Sequence, residues 1–280
     1  MTLSKLNCVM VKLAFLVLTF GARVLVAQSD PRTLLADGQE ITADRIAAVC
    51  RELIPPAGRG GDTPGDDTAV REALHGLALR AGRPDAGGLR TNALQAFSAA
   101  LQSDSPVPVK SYLLEQLRFF AEAPSIPVLK GLLATPELCD PAARVLITIG
   151  TPAAAAVLRQ ALPSAGSIEQ QIVLVQALGD LGDPEAVQMV QALLTHADKK
   201  LRMAALSALG RCGGVENAVA LRKALGSESA YERARALQAH MTLLGRLHAG
   251  GDAGAESECL ALMAACPEDA HVQCAGLVFL

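Results

Sequence analysis

The strongest constraint on this chain is an apolar pattern that returns at intervals of roughly thirty residues between Tyr112 and Leu225. Leu129, Leu158, Val190 and Leu221 are separated by 29, 32 and 31 residues, and Leu133, Leu162, Leu194 and Leu225 keep the same steps four residues later. Two apolar columns four apart describe one face of a helix. Upstream, Leu117, Leu146, Leu178 and Leu209 repeat those steps, as do Phe120, Ile149, Leu181 and Cys212, so each unit holds two helices. Helix-start chemistry separates them. Thr151-Pro152 and Asp183-Pro184 each offer a capping oxygen followed by a residue suited to the first helical position. Gly150, Gly182 and Gly213 precede these turns, where the backbone is expected to need a positive φ. A helix pair of this size cannot bury its apolar face alone. Neighbouring pairs must stack, which predicts an all-α fold, a right-handed α-α superhelix of about six antiparallel helix pairs.

Composition fits close-packed helices. The chain is 51% hydrophobic but only 3% aromatic, without Trp, so Ala and Leu must supply the core, which disfavours a β sandwich. At the start, Lys5 and Lys12 precede the apolar run Leu13–Ala22, and Val24-Leu25-Val26-Ala27 ends in a small residue. Residues 1–27 therefore read as a secretory signal peptide cleaved after Ala27, which predicts an exported, periplasmic or extracellular protein. Arg23 interrupts a run already too short for a membrane anchor, and Cys8 has no lipidation context. Cleavage removes Lys5, Lys12 and Arg23 and no acids, leaving 22 basic against 28 acidic residues, a net of −6. That balance, with so few aromatic rings for stacking, argues against a nucleic-acid binder.

Residues 28–67 read as N-terminal capping helices and a Gly/Pro-rich loop, with Ile46, Ala47, Cys50 and Leu53 on one helical face behind a possible cap at Thr42. No Gly-Lys-Ser/Thr follows the glycines of residues 57–67, so a phosphate loop is not expected. The solenoid is expected over residues 68–266, beginning with the face Val70, Leu74, Leu77, Ala81. Residues 267–280 read as the start of a further helix, and its apolar, uncapped end at Ala275–Leu280 predicts that the natural chain continues.

The units Ala142–Leu162, Leu174–Leu194 and Ala205–Leu225, with Leu178-Gly179-Asp180-Leu181-Gly182-Asp183-Pro184-Glu185-Ala186 as the clearest stretch, resemble HEAT repeats of the phycobilisome-lyase-like class. The resemblance covers roughly residues 68–266. It implies a protein-binding scaffold more often than any chemistry. One branch of such repeats is the di-iron deoxyhypusine hydroxylases, whose ligands are His-Glu pairs. Here the five histidines are followed by Gly76, Ala197, Met241, Ala249 and Val272, so that motif is missing. Resemblance to bilin-attaching lyases leaves a cofactor-handling enzyme module as the alternative reading, although no residue specifies a tetrapyrrole pocket. A repeat segment of a larger protein whose activity lies beyond Leu280 is another.

Among the seven cysteines, Cys212 stands in the core column of Ile149 and Leu181 and reads as packing. Cys259, Cys266, His271 and Cys274 cluster in sequence. A Cys266–Cys274 disulfide, a zinc site and plain packing are the three readings left open there. No catalytic triad is expected, because the serines sit in caps and loops and no Gly-x-Ser-x-Gly occurs, and no residue set is specific enough to assign a metal or a cofactor.

The surface offers one candidate site. Beside the core column of each second helix stand Lys130, Arg159, Gln191 and Arg222, with Gln160 and Lys223 next to the second and fourth. In HEAT-like solenoids the second helices line the concave side, so the resemblance makes these rungs candidates for binding a protein partner with an acidic segment. Positive charge in the C-terminal half of a helix also complements the macrodipole, which is the competing explanation. The sequence thus predicts a non-catalytic scaffold that binds a protein through the concave face.

Overall fold

The structure, a computed structural model, describes residues 31–35, 40–55 and 66–279. The proposed signal peptide at residues 1–27, Cys8, residues 57–65 of the glycine-rich loop, and Leu280 lie outside the described residues. The chain divides into two compact units, residues 1–100 and 101–280. The division falls inside the stretch expected to form one array. Among the described residues there are fourteen α-helices and no strand. None of those helices is long and apolar enough to cross a membrane.

The first unit holds α1 (Ala43–Arg51), α2 (Thr68–Ala81) and most of α3 (Gly87–Gln102). Thr42 caps α1 as its sequence suggests, its Oγ1 accepting from the Arg45 N–H at 3.4 Å. Val70, Leu74, Leu77 and Ala81 form one buried face of α2, packed with Ile46, Val49 and Leu34 in the core. Arg71 ties the unit together. It pairs with Asp67 at 2.8 Å and donates to the Ile54 carbonyl at 3.0 Å.

The second unit is a stack of helix pairs: α4 (Val107–Leu117) with α5 (Ile126–Leu132), α6 (Pro136–Ile149) with α7 (Pro152–Ala161), and α8 (Ile168–Asp180) with α9 (Val187–Ala192). Two more pairs follow, α10 (Lys199–Cys212) with α11 (Ala218–Ala224) and α12 (Ala230–Ala249) with α13 (Gly254–Ala265), and α14 (Ala270–Phe279) comes last. The first helices form a continuous layer, in which α10 packs extensively on both α8 and α12. The columns explain the stack. Leu117, Leu146, Leu178 and Leu209 are all fully buried, and so are Leu129, Leu158, Val190 and Leu221. Each such side chain contributes about 2 kcal/mol through burial.

Two expectations are corrected in detail. Gly150 and Gly182 adopt φ of 65° and 63°, the left-handed ends their turns require. Gly213 does not, having φ −70°. It is needed for space, because a Cβ there would stand 2.6 Å from the Leu209 carbonyl oxygen and 3.1 Å from Asn217 Oδ1. The inner column of the second helices also changes character along the stack. Leu133 and Leu162 are buried, but Leu194 and Leu225 are only half-buried.

The first helices have their own caps, and these recur too. Ser167, Asp198 and Ser229, 31 residues apart, accept from the N–H groups of Gln170, Leu201 and Glu232 at 3.1, 3.0 and 3.4 Å. Arg202 and Arg233, again 31 apart, each reach back to the carbonyls five and six residues earlier, with distances of 2.8 to 2.9 Å. The preceding turns are held closed in the same way in both repeats.

Candidate functional site

The second helices are short, and their outward C-terminal halves carry the polar rungs. Lys130 donates to Gln160 Oε1 at 3.0 Å. Arg159 pairs with Asp183, a residue only 7% exposed, and with Glu185 at 2.7 Å. Gln191 accepts from Asn217 Nδ2 at 3.1 Å, and Arg222 reaches Glu258 Oε1 at 2.7 Å. Every one of these bonds joins one second helix, or the turn that starts it, to the next. Asp183 does double duty, since its other oxygen caps the turn by accepting from Glu185 N–H at 3.3 Å.

The rungs are therefore brought onto one face, but they are not equivalent. The guanidinium groups of Arg159 and Arg222 are consumed by acids of the neighbouring repeat, so their charge stands largely neutralised. Lys130, Gln160, Gln191 and Lys223 remain exposed. Lys223 makes no side-chain hydrogen bond or ion pair among the described residues. Sequence columns found the rungs but not their partners: Glu185 and Asn217 lie 26 residues from Arg159 and Gln191, and Glu258 lies 36 from Arg222, each in a later repeat.

Between successive second helices the face opens into clefts. One, of about 350 Å³, lies between α5 and α7 and is lined by Lys130, Leu133, Val157 and Gln160. A second, of about 480 Å³, lies between α9 and α11, with Leu194 and Lys223 at its sides and Met203 and Leu206 of α10 as its floor. Both fall within the roughly 300–1,000 Å³ typical of ligand sites.

Arg222 belongs to a buried cluster. His240 is fully buried on α12, and its Nε2 stands 3.1 Å from Glu258 Oε1 without the alignment of a hydrogen bond. Burial, with the Arg222 charge adding to it, pushes the imidazole down to about 4, so it is neutral at pH 7. Burial outweighs Arg222 at Glu258 and raises that carboxyl above the usual range. The two groups act oppositely on stability. Between pH 6.5 and about 4 the unfolded chain protonates His240 and the folded chain does not, so stability falls as pH drops through that window. The loss is on the order of 3 kcal/mol for His240 alone. The folded chain holds the Glu258 proton more readily than the unfolded one, which offsets part of it. His240→Leu is expected to flatten the fall in urea-unfolding stability between pH 7 and 4; an unchanged fall would show that this imidazole does not drive it.

The cysteines carry no chemistry on this face. Burial pushes Cys50 up to about 12 and Cys139 and Cys212 up to about 11, far from the thiolate form at neutral pH. Cys259 is buried and donates to the Gly276 carbonyl at 3.4 Å. Cys266 and Cys274 are free thiols. Val272 and Gly276 form the buried side of α14, and helical spacing puts Cys274, which is exposed, on the opposite side. No group of three His, Cys, Asp or Glu with metal-holding geometry occurs among the described residues.

Residues 156–240 match the family model of HEAT repeats. Among solved structures, the chain is similar to the complex of CpcE and CpcF of phycocyanin lyase from Nostoc sp. PCC7120, at 17% identity and a TM-score of 0.45, over 88% of this chain and 97% of that one. No curated protein shows significant similarity to the chain.

Proposed function

We propose that this stack of HEAT-type repeats is a non-catalytic scaffold that holds a protein partner on the face of its second helices, in the cell envelope or outside the cell. The observation that carries the reading is the pair of open clefts between second helices, each rimmed by an exposed lysine, Lys130 or Lys223, on a face whose other cations are neutralised internally. Arg159, Arg222 and Gln191 hold the repeats in register, and Lys130, Gln160 and Lys223 meet the partner. An acidic segment on that partner complements the two lysines.

Crosslinking in the native setting tests this. The wild-type chain should give a defined crosslinked protein that the double variant Lys130→Glu/Lys223→Glu loses while keeping its fold. Undiminished capture by the double variant would refute this face, and no crosslinked protein from the wild type would refute the scaffold reading. Export is supported by Lys5, Lys12, the Leu13–Ala22 run and Ala27. N-terminal sequencing of the chain from its producing cells should begin at Gln28, and an intact start at Met1 or Thr2 would overturn export.

A further inference from the structure

The two clefts on the second-helix face differ in one way that the repeat itself makes measurable. Two steps along the repeat, Lys130 corresponds to Gln191, Gln160 to Lys223, and Gln170 to Glu232. In the cleft between α5 and α7 these positions bond to one another or to the wall. Lys130 bridges to Gln160 across it, and the buried Gln170 lines it, donating to the Leu133 and Ala134 carbonyls at 3.3 and 3.4 Å.

In the cleft between α9 and α11 none of those bonds forms. Gln191 turns to Asn217, leaving Lys223 without a partner. Glu232 is drawn to the wall by Arg202 at 2.6 Å and Ser227 at 2.8 Å, and these partners hold its carboxyl well below the usual range. The space that remains reaches down to Met203 and Leu206, and it leaves Leu194 half-buried where its counterpart Leu133 is covered. An apolar floor with one uncompensated ammonium at its rim is a binding arrangement that the sister cleft, on the same scaffold, lacks.

We infer that the cleft between α9 and α11 is the anchor point for the partner, and that it takes an extended peptide segment with an apolar side chain beside a carboxylate. The inference rests on the scaffold reading above and narrows it to one site. The apolar side chain sits over Met203 and Leu206, and the neighbouring Asp or Glu pairs with Lys223, the one cation lining the cleft without a partner. Arg202, already paired with Glu232, is a wall and not a second cation for the ligand. A basic peptide is disfavoured by Lys223, and a purely apolar one leaves that charge uncompensated.

The test is a random-peptide display selection on the purified full chain, followed by fluorescence anisotropy with the selected peptides. Selected sequences should share a Leu, Ile, Met or Phe next to Asp or Glu. Their affinity should fall at least tenfold with Lys223→Glu and with Ala220→Trp, which fills the cleft, and stay within twofold with Lys200→Glu, an exposed lysine that does not line the cleft. If Ala220→Trp disturbs folding, Thr195→Trp at the exposed rim gives the same readout. Peptides indifferent to these changes, equally weakened by Lys200→Glu, or not recovered at all would overturn the site. In each of those cases a crosslinked partner that survives leaves the scaffold reading standing, whereas loss of both removes the two together.

Discussion

Gly210→Val is expected to lower the stability of the second unit by about 3 kcal/mol, a shift of roughly 10 °C in its unfolding midpoint. A Cβ at this position would lie 2.5 Å from the Ala239 carbonyl oxygen and 3.0 Å from its Cα, so the obstacle is backbone and cannot rotate away. One repeat earlier the same meeting occurs between Gly179 and Ala208, whose Cα would stand 2.7 Å from an added Cβ. These contacts let α8, α10 and α12 approach closely, and in a stack of repeats the coupling between neighbours carries much of the stability. Separating α10 from α12 should also split the unfolding transition, visible as two steps in urea. Gly131→Ala is the control. Its Cβ would meet nothing within 4 Å inside α5, so it should stabilise by about 0.5–1 kcal/mol. A Gly210→Val chain as stable as the wild type would mean that the first-helix layer is not closely packed here.

Arg222→Met is expected to cost about 3 kcal/mol at pH 7, because it leaves the Glu258 carboxylate, only 9% exposed, without its cation. The loss should shrink by pH 5. Without Arg222 the Glu258 carboxyl is raised further, and the nearby His240 no longer feels the guanidinium charge that helps keep it neutral. Both changes let the folded chain bind protons more readily, so its stability gains as pH falls. The double variant Arg222→Met/Glu258→Leu should recover most of the loss at pH 7, since replacing both members of such a pair with apolar groups is often neutral. A loss that is constant from pH 7 to 5 would show that the charge of Glu258 is not what suffers.

The stack itself was legible because it rests on periodicity. Leu129, Leu158, Val190 and Leu221 must share one side of their helices whatever lies around them, and Thr151 and Asp183 cap by local geometry alone. The caps at Ser167, Asp198 and Ser229 stand in the sequence as a column of their own, set 31 residues apart outside the apolar columns. The rungs were legible as positions and not as roles. Arg159 and Arg222 look like free surface cations until Asp183, Glu185 and Glu258 are placed beside them.

The sequence by itself determined that the chain is helical, that the helices come in pairs, and which side of each pair is buried, because these follow from spacing within one or two turns of chain. The tertiary structure alone decided which charges are spent and how each cleft is lined. Gln191 bonds Asn217 and not Lys223, which stays unpaired among the described residues, and Glu232 at the cleft wall is held by Arg202 and Ser227. A hydrogen bond or ion pair is settled by distances of a few ångströms between residues tens of positions apart, and periodicity carries no information about that choice.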